Sequence, residues 1–147
     1  MVRALGVRVK VRIRRGNDEV EDIAKANLGF ETEEPSILIS DRAYRELKLH
    51  LVKPEEVASK DFCRSTRILH YLGKVKVRIV EPDRLSEEIE ANTYYYPGGG
   101  REECLLSDAL MEALGMIILK PKVGYWRFKD DPPDRIRKSI IQVKKHN

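Results

Sequence analysis

Strict two-residue alternation is the feature that most restricts this chain. Along "LGVRVKVRIRR", Leu5, Val7, Val9, Val11 and Ile13 point one way, and Arg8, Lys10, Arg12 and Arg14 point the other. A helix would scatter these side chains around its axis, whereas a strand buried on one face sorts them. "RGND" after it reads as a hairpin turn. "EVEDIAKANL" reads as the returning strand, with Glu19 and Glu21 able to face arginines of the first. Opposite charges paired across strands make the basic stripe a solvated sheet face rather than a track for phosphates.

The same order then continues and repeats. After Gly29 and an acidic link, Pro35 opens the short buried strand "SILIS". Ser40 is a natural N-cap for a helix over 40–49, with Asp41 in its first turn and Ala43, Tyr44 and Leu47 as its apolar stripe. Residues 50–67 show no period and read as irregular. Alternation returns with Val75, Val77 and Ile79 against Lys74, Lys76 and Arg78; "EPDR" turns, and "SEEIEANTYYY" answers as an antiparallel partner. "PGGG" breaks that strand and "ECLL" is a brief one. Ser107 caps a helix over 107–114, with Asp108 in its first turn, and Gly115 ends it. "MIILKP" and "GYWRFK" read as two closing strands. Residues 131–147 are a basic C-terminal tail, helical from Pro133 onward, with Ile136, Ile140 and Val143 as an apolar edge and Arg135, Arg137, Lys138, Lys144 and Lys145 as its charge. The pattern implies a mainly all-β fold, a small barrel with two short helices over residues 1–130, followed by the tail.

With 147 residues, 41% of them hydrophobic, the chain can build one core. It has no apolar run near the roughly 18 residues that span a membrane and no apolar signal stretch at its start, so the expectation is a soluble cytoplasmic protein. Cys63 and Cys104 stand alone and read as free thiols. The 35% charged residues, with few Cys and Met, lean toward a heat-adapted source in which an intracellular disulfide stays open. The net charge of +4 is compatible with weak nucleic-acid affinity without arguing for it. His50, His70 and His146 are scattered, and no metal-ligand spacing occurs. The glycine run lacks the Gly-Lys-Ser/Thr ending of a phosphate loop, and neither HExxH nor GxSxG is present. No metal or cofactor is expected.

Two stretches echo each other: "ILISDRAYREL" and "CLLSDALMEAL" share Leu, an apolar residue, Ser and Asp at the entry to a helix. Each half therefore runs hairpin, loop, strand, helix. In this order, and in Ala26-Asn27-Leu28-Gly29-Phe30 and "LLSDALMEALG", the chain resembles the retropepsin-like family of aspartic peptidases in its archaeal-type, single-domain variant, over roughly residues 5–128. The family's second strand ends in an apolar residue, Asp, Thr/Ser, Gly and Ala/Phe. By that resemblance Asn27, Leu28 and Gly29 stand at the catalytic tripeptide, Ser107 stands in a glycine's place, and residues 54–67 stand where the family carries its substrate-covering flap.

The resemblance implies a homodimer in which each chain gives the same residue to a site on the two-fold axis. That chemistry needs two carboxylates sharing a proton, one polarising water and one donating to the substrate carbonyl. Here the residue is Asn27, which hydrogen-bonds water without accepting its proton, and Leu28 has no hydroxyl to lock the loop. Asp41 and Asp108 read as helix-capping acids and Glu31 as a solvated one. Three functions follow, in this order: a dimeric barrel without normal aspartic-peptidase activity that serves as a binding or assembly module, with a peptide or protein as its ligand; an active peptidase using a displaced carboxylate; a nucleic-acid-associated protein using the tail and the Arg/Lys faces.

Overall fold

The computed structural model of the chain describes residues 6–26, 29–59 and 67–140. In chain order the elements are β1 (Val7–Arg15), β2 (Asp18–Ala26), β3 (Ser36–Leu38), α1 (Asp41–Glu46), a 3-10 turn (Leu49–Leu51), β4 (Glu55–Ser59), β5 (Arg67–Ile79), β6 (Ile89–Tyr95), β7 (Cys104–Leu106), α2 (Asp108–Ala113), β8 (Met116–Lys120), β9 (Tyr125–Phe128) and β10 (Arg137–Lys138). The strands run β1-β2-β7-β3-β6-β5, and β5 pairs back onto β1. The result is a closed barrel, which leaves no free edge among those strands. The expected all-β barrel with two short helices is what the chain forms.

The echo in the sequence becomes an approximate internal two-fold. β1 and β5 each pair antiparallel with the strand that follows the hairpin, β2 and β6. β2 pairs parallel with β7, and β6 pairs parallel with β3. β3 and β7 meet antiparallel, Leu38 opposite Leu105, and β1 meets β5 antiparallel, Ile13 opposite Val77. Exchanging β1 with β5, β2 with β6 and β3 with β7 leaves this set of pairings unchanged. Both helices also start alike: Ser40 and Ser107 share φ −70° and ψ 162°, and each hydroxyl accepts the backbone N–H three residues on.

The alternating strands fill the barrel as their period dictates. Val7, Val9, Val11, Ile13, Val75, Val77 and Ile79 are buried together with Ile37, Ile39 and Leu106. Each such side chain stabilises by about 1.5–3 kcal/mol relative to exposure. β3 and β7 are buried on both faces, as expected of central strands with parallel neighbours. Gly16 closes the first hairpin at φ +58°, a value that a side chain would strain.

Two expectations need correction. Residues 50–67 are not irregular throughout: Glu55–Ser59 is β4, which pairs antiparallel with the start of β5. Its alternation is weak because most of its side chains are exposed. The tail is not helical over its described part. Asp134 lies in a turn, and Arg137 and Lys138 pair as β10 with Trp126 and Tyr125 of β9. Ile140 N–H then reaches Arg8 O, and Ser139 N–H reaches Gly124 O. Lys144, Lys145, Val143 and His146 lie outside the described residues.

The basic stripe on β1 is neutralised more widely than one hairpin allows. Arg12 pairs with Glu19 and Glu21 on β2, as the alternation predicts, but Arg14 pairs with Glu88 and Arg8 with Glu103.

Candidate functional site

The site is built where the loops that follow β2 and β6 meet the helix starts. Each helix fastens the loop of the other half. Asp108 N–H donates to Phe30 O at 2.9 Å, and Asp108 Oδ1 accepts Thr32 N–H at 2.9 Å. Across the internal two-fold, Asp41 N–H donates to Arg101 O at 3.0 Å, and Asp41 Oδ1 accepts the Tyr95 hydroxyl at 2.8 Å. Burial first, and then the bond to Asp41, push the Tyr95 phenol up to about 12. The Tyr95 ring stacks on Tyr44 with centroids 3.8 Å apart.

A second apolar cluster lies outside the barrel core beside the first loop. Phe30, Leu38, Leu69 and Leu105 are buried together, with Val57, Tyr94 and Tyr96 half-buried around them. Leu38 and Leu105 face this side because their strand neighbours Ile37 and Leu106 face the barrel interior. Val57 and Leu69 are cross-strand partners in the β4–β5 hairpin, so that hairpin covers the cluster. Tyr71 lies 5.4 Å from Tyr94, centroid to centroid, and Arg67 sits 5.8 Å from the centre of the Tyr96 ring. Burial, with Tyr71 next, raises the Tyr94 pKa.

A polar chain links the same hairpin to the loop. The Tyr71 hydroxyl donates to Asn92 Oδ1 at 3.0 Å, Asn92 Nδ2 donates to Glu34 Oε2 at 2.8 Å, and Asn92 N–H donates to Pro35 O. Sequence reasoning missed Tyr71, Asn92 and Glu34. The one available signal was the aromatic run Tyr94–Tyr96, which read only as strand.

Of the tripeptide positions, Asn27 and Leu28 lie outside the described residues, and Gly29 occupies an exposed turn directly before buried Phe30. Asp41 and Asp108 bond the loops, as described above. Glu31 is exposed. Of residues 54–67, Glu55–Ser59 forms β4 and Arg67 begins β5, with residues 60–66 outside the described set. Cys63 is also outside it. Cys104 is fully buried; burial first, then Asp22, push its thiol up to about 12, so it is no ready nucleophile. Asp22 Oδ2 accepts the Ser40 hydroxyl beside it. His50 lies edge-on to Tyr44, and His70 is half-buried on β5. Among the described residues no three His, Cys, Asp or Glu side chains gather to hold a metal, and no helix is long and apolar enough to cross a membrane.

No family model matches the chain, and neither a curated protein nor a solved structure matches it.

Proposed function

We propose that this protein is a retropepsin-like barrel that works as a homodimeric binding module for a peptide or protein segment, without normal aspartic-peptidase activity. The observation that carries this reading is the apolar cluster of Phe30, Leu38, Leu69 and Leu105, covered by the β4–β5 hairpin, with Phe30 three residues after Asn27 in the sequence. The cluster is buried beneath the hairpin, and the edge of β4 beside it, free among the described residues, suits an extended segment that adds as a further strand and whose apolar side chains reach the cluster when the hairpin opens. The chemistry of Asn27 supports the silent state, since removing a general base alone typically costs on the order of 10²–10⁴-fold in rate. Asp41 and Asp108 have carboxylate oxygens engaged by a phenol and by backbone N–H groups, which argues against either as a displaced catalytic acid.

The test is a peptidase assay on an unfolded protein substrate at acid pH. The parent protein is expected to be inactive, and Asn27→Asp with Leu28→Thr is the variant with a chance of activity. Cleavage by the parent that Asn27→Ala abolishes would end this reading. Binding is tested by fluorescence anisotropy with a library of apolar, extended peptides, where Phe30→Ser is expected to weaken retention.

A further inference from the structure

The outer face of the β1–β5 seam sets like charges opposite each other, Arg12 against Arg78 and Arg14 against Lys76. Directly opposed like charges destabilise a sheet. Carboxylates relieve the β1 side: Glu19 and Glu21 hold Arg12, and Glu88 holds Arg14. Lys76 is exposed to solvent. Arg78 has neither remedy. It is half-buried, its Nε is buried with no acceptor, and no hydrogen bond or ion pair reaches its side chain among the described residues. Glu88 feels its charge, but the Glu88 carboxylate is held foremost by the Arg14 bond. Other half-buried arginines show how this chain ordinarily treats a guanidinium. Arg15 donates to Leu47 O, Arg84 to Asp130, and Arg127 to Phe128 O.

Arg78 lines a cavity of about 520 Å³ between the β5–β6 connection, the end of α2 and the turn after β9. That volume falls in the range of small-molecule sites. Lys129 lines the same cavity, and its ammonium makes no ion pair among the described residues. Two acids also line it. Asp130 is engaged by Arg84, which lowers its pKa, and Glu87 is exposed. Leu85, 44% exposed, gives the cavity an apolar wall.

We propose that this cavity binds a small organic anion, with Arg78 and Lys129 receiving its carboxylate or phosphate and its apolar part lying beside Leu85. An anion there does not reach the buried Nε, but it offsets the repulsion of the half-buried Arg78 guanidinium from Arg12. A charge-assisted bond to a guanidinium is among the stronger polar contacts a ligand can make. The site lies on a different surface from the apolar cluster and does not depend on the binding function proposed above.

The probes are phenyl phosphate and phenylacetate, each titrated at constant ionic strength into the full chain. Arginine Nε–Hε resonances and the melting temperature are the readouts. At least one probe is expected to shift the Arg78 signal saturably and to raise Tm. Affinity is expected to fall at least tenfold in Arg78→Gln and several-fold in Lys129→Gln, and to be unchanged in Arg45→Gln, which alters an exposed arginine on α1. Arg78→Gln alone is expected to melt no lower than the parent, because it removes an opposed like-charge pair. If it does not fold, Lys129→Gln decides. Shifts that grow linearly with both probes, or equal affinity in the Arg78 or Lys129 variant, would overturn the proposal. A saturable response to phenyl phosphate alone assigns a phosphate head, and one to phenylacetate alone assigns a carboxylate head.

Discussion

At the residue scale, Arg137 does the most that its sequence context hides. Its side chain is 2% exposed and is held by Asp131, Asp83 and Glu81 at 2.8, 2.7 and 3.1 Å. Its guanidinium also lies 4.9 Å from the centre of the Phe128 ring. In a run such as "DRIRKSI" an arginine reads as surface charge, since its carboxylates are six to 56 residues away and no local rule pairs them. This is why the tail looked like a basic helix. Arg137 bonds hold both Asp83 and Asp131 down at about 2. Both groups are depressed from the ordinary carboxylate range near 3.9, so their stabilisation is fully present above about pH 4 and is lost as pH falls toward 2. Arg137→Met should cost about 1.5–3 kcal/mol at pH 6, because it takes from Asp131 its principal charged partner and leaves it the Phe128 N–H and Arg84 at 3.6 Å. The gap between parent and variant in urea unfolding should narrow below pH 4. A gap that is constant from pH 6 to pH 3 would mean that the cluster is not what holds the C-terminal segment.

At the element scale, the repeated unit is a short strand leading through a serine into a helix. The sequence shows this unit plainly, because "LISD" and "LLSD" each place a hydroxyl, an acid and an apolar run in one order. What it cannot show is what the two serines do beyond capping. Ser107 Oγ accepts both Leu110 N–H and Ser36 N–H, at 3.1 and 3.0 Å, so it joins β3 to the start of α2. Ser107→Ala should therefore cost roughly 1–3 kcal/mol, more than a simple exposed cap, since it leaves buried donors without an acceptor. Chemical denaturation measures this, and a loss below about 0.5 kcal/mol would contradict the shared bond. The strand that pattern reading missed, β4, differs in kind. It has one partner strand, β5, and mostly exposed side chains, so neither alternation nor burial marks it. Backbone amides of 55–58 should exchange with solvent faster than those of 76–79, which lie within the barrel between β1 and β6. Equal or slower exchange in β4 would remove its assignment as the more easily opened cover of the apolar cluster.

At the scale of the whole molecule, the internal two-fold brings the two loops and the two helix starts together within one chain, but it does not duplicate the sequence at Asn27. The loop after β2 carries Asn27-Leu28-Gly29, whereas the loop after β6 carries Tyr96-Pro97-Gly98. A symmetric pair of Asn27 side chains therefore requires a second copy of the chain, which is the dimer that the proposed function needs. Light scattering at micromolar concentration should give twice the 17.0 kDa chain mass. The charge at position 27 then offers a sharper test than mass alone. Two neutral amides facing each other across an axis do not repel, whereas two carboxylates in one shared pocket cannot both ionise without cost. Asn27→Asp should weaken self-association at neutral pH, where both groups tend to ionise, and recover it near pH 4, where the pair holds a shared proton. The titration belongs to the pair, with one apparent pKa raised and one lowered. Sedimentation equilibrium of parent and variant at pH 7 and pH 4 reads this directly. If the variant associates as tightly as the parent at both pH values, the two Asn27 side chains do not meet. The resemblance of Asn27 to a catalytic position would then describe the sequence without describing the assembly.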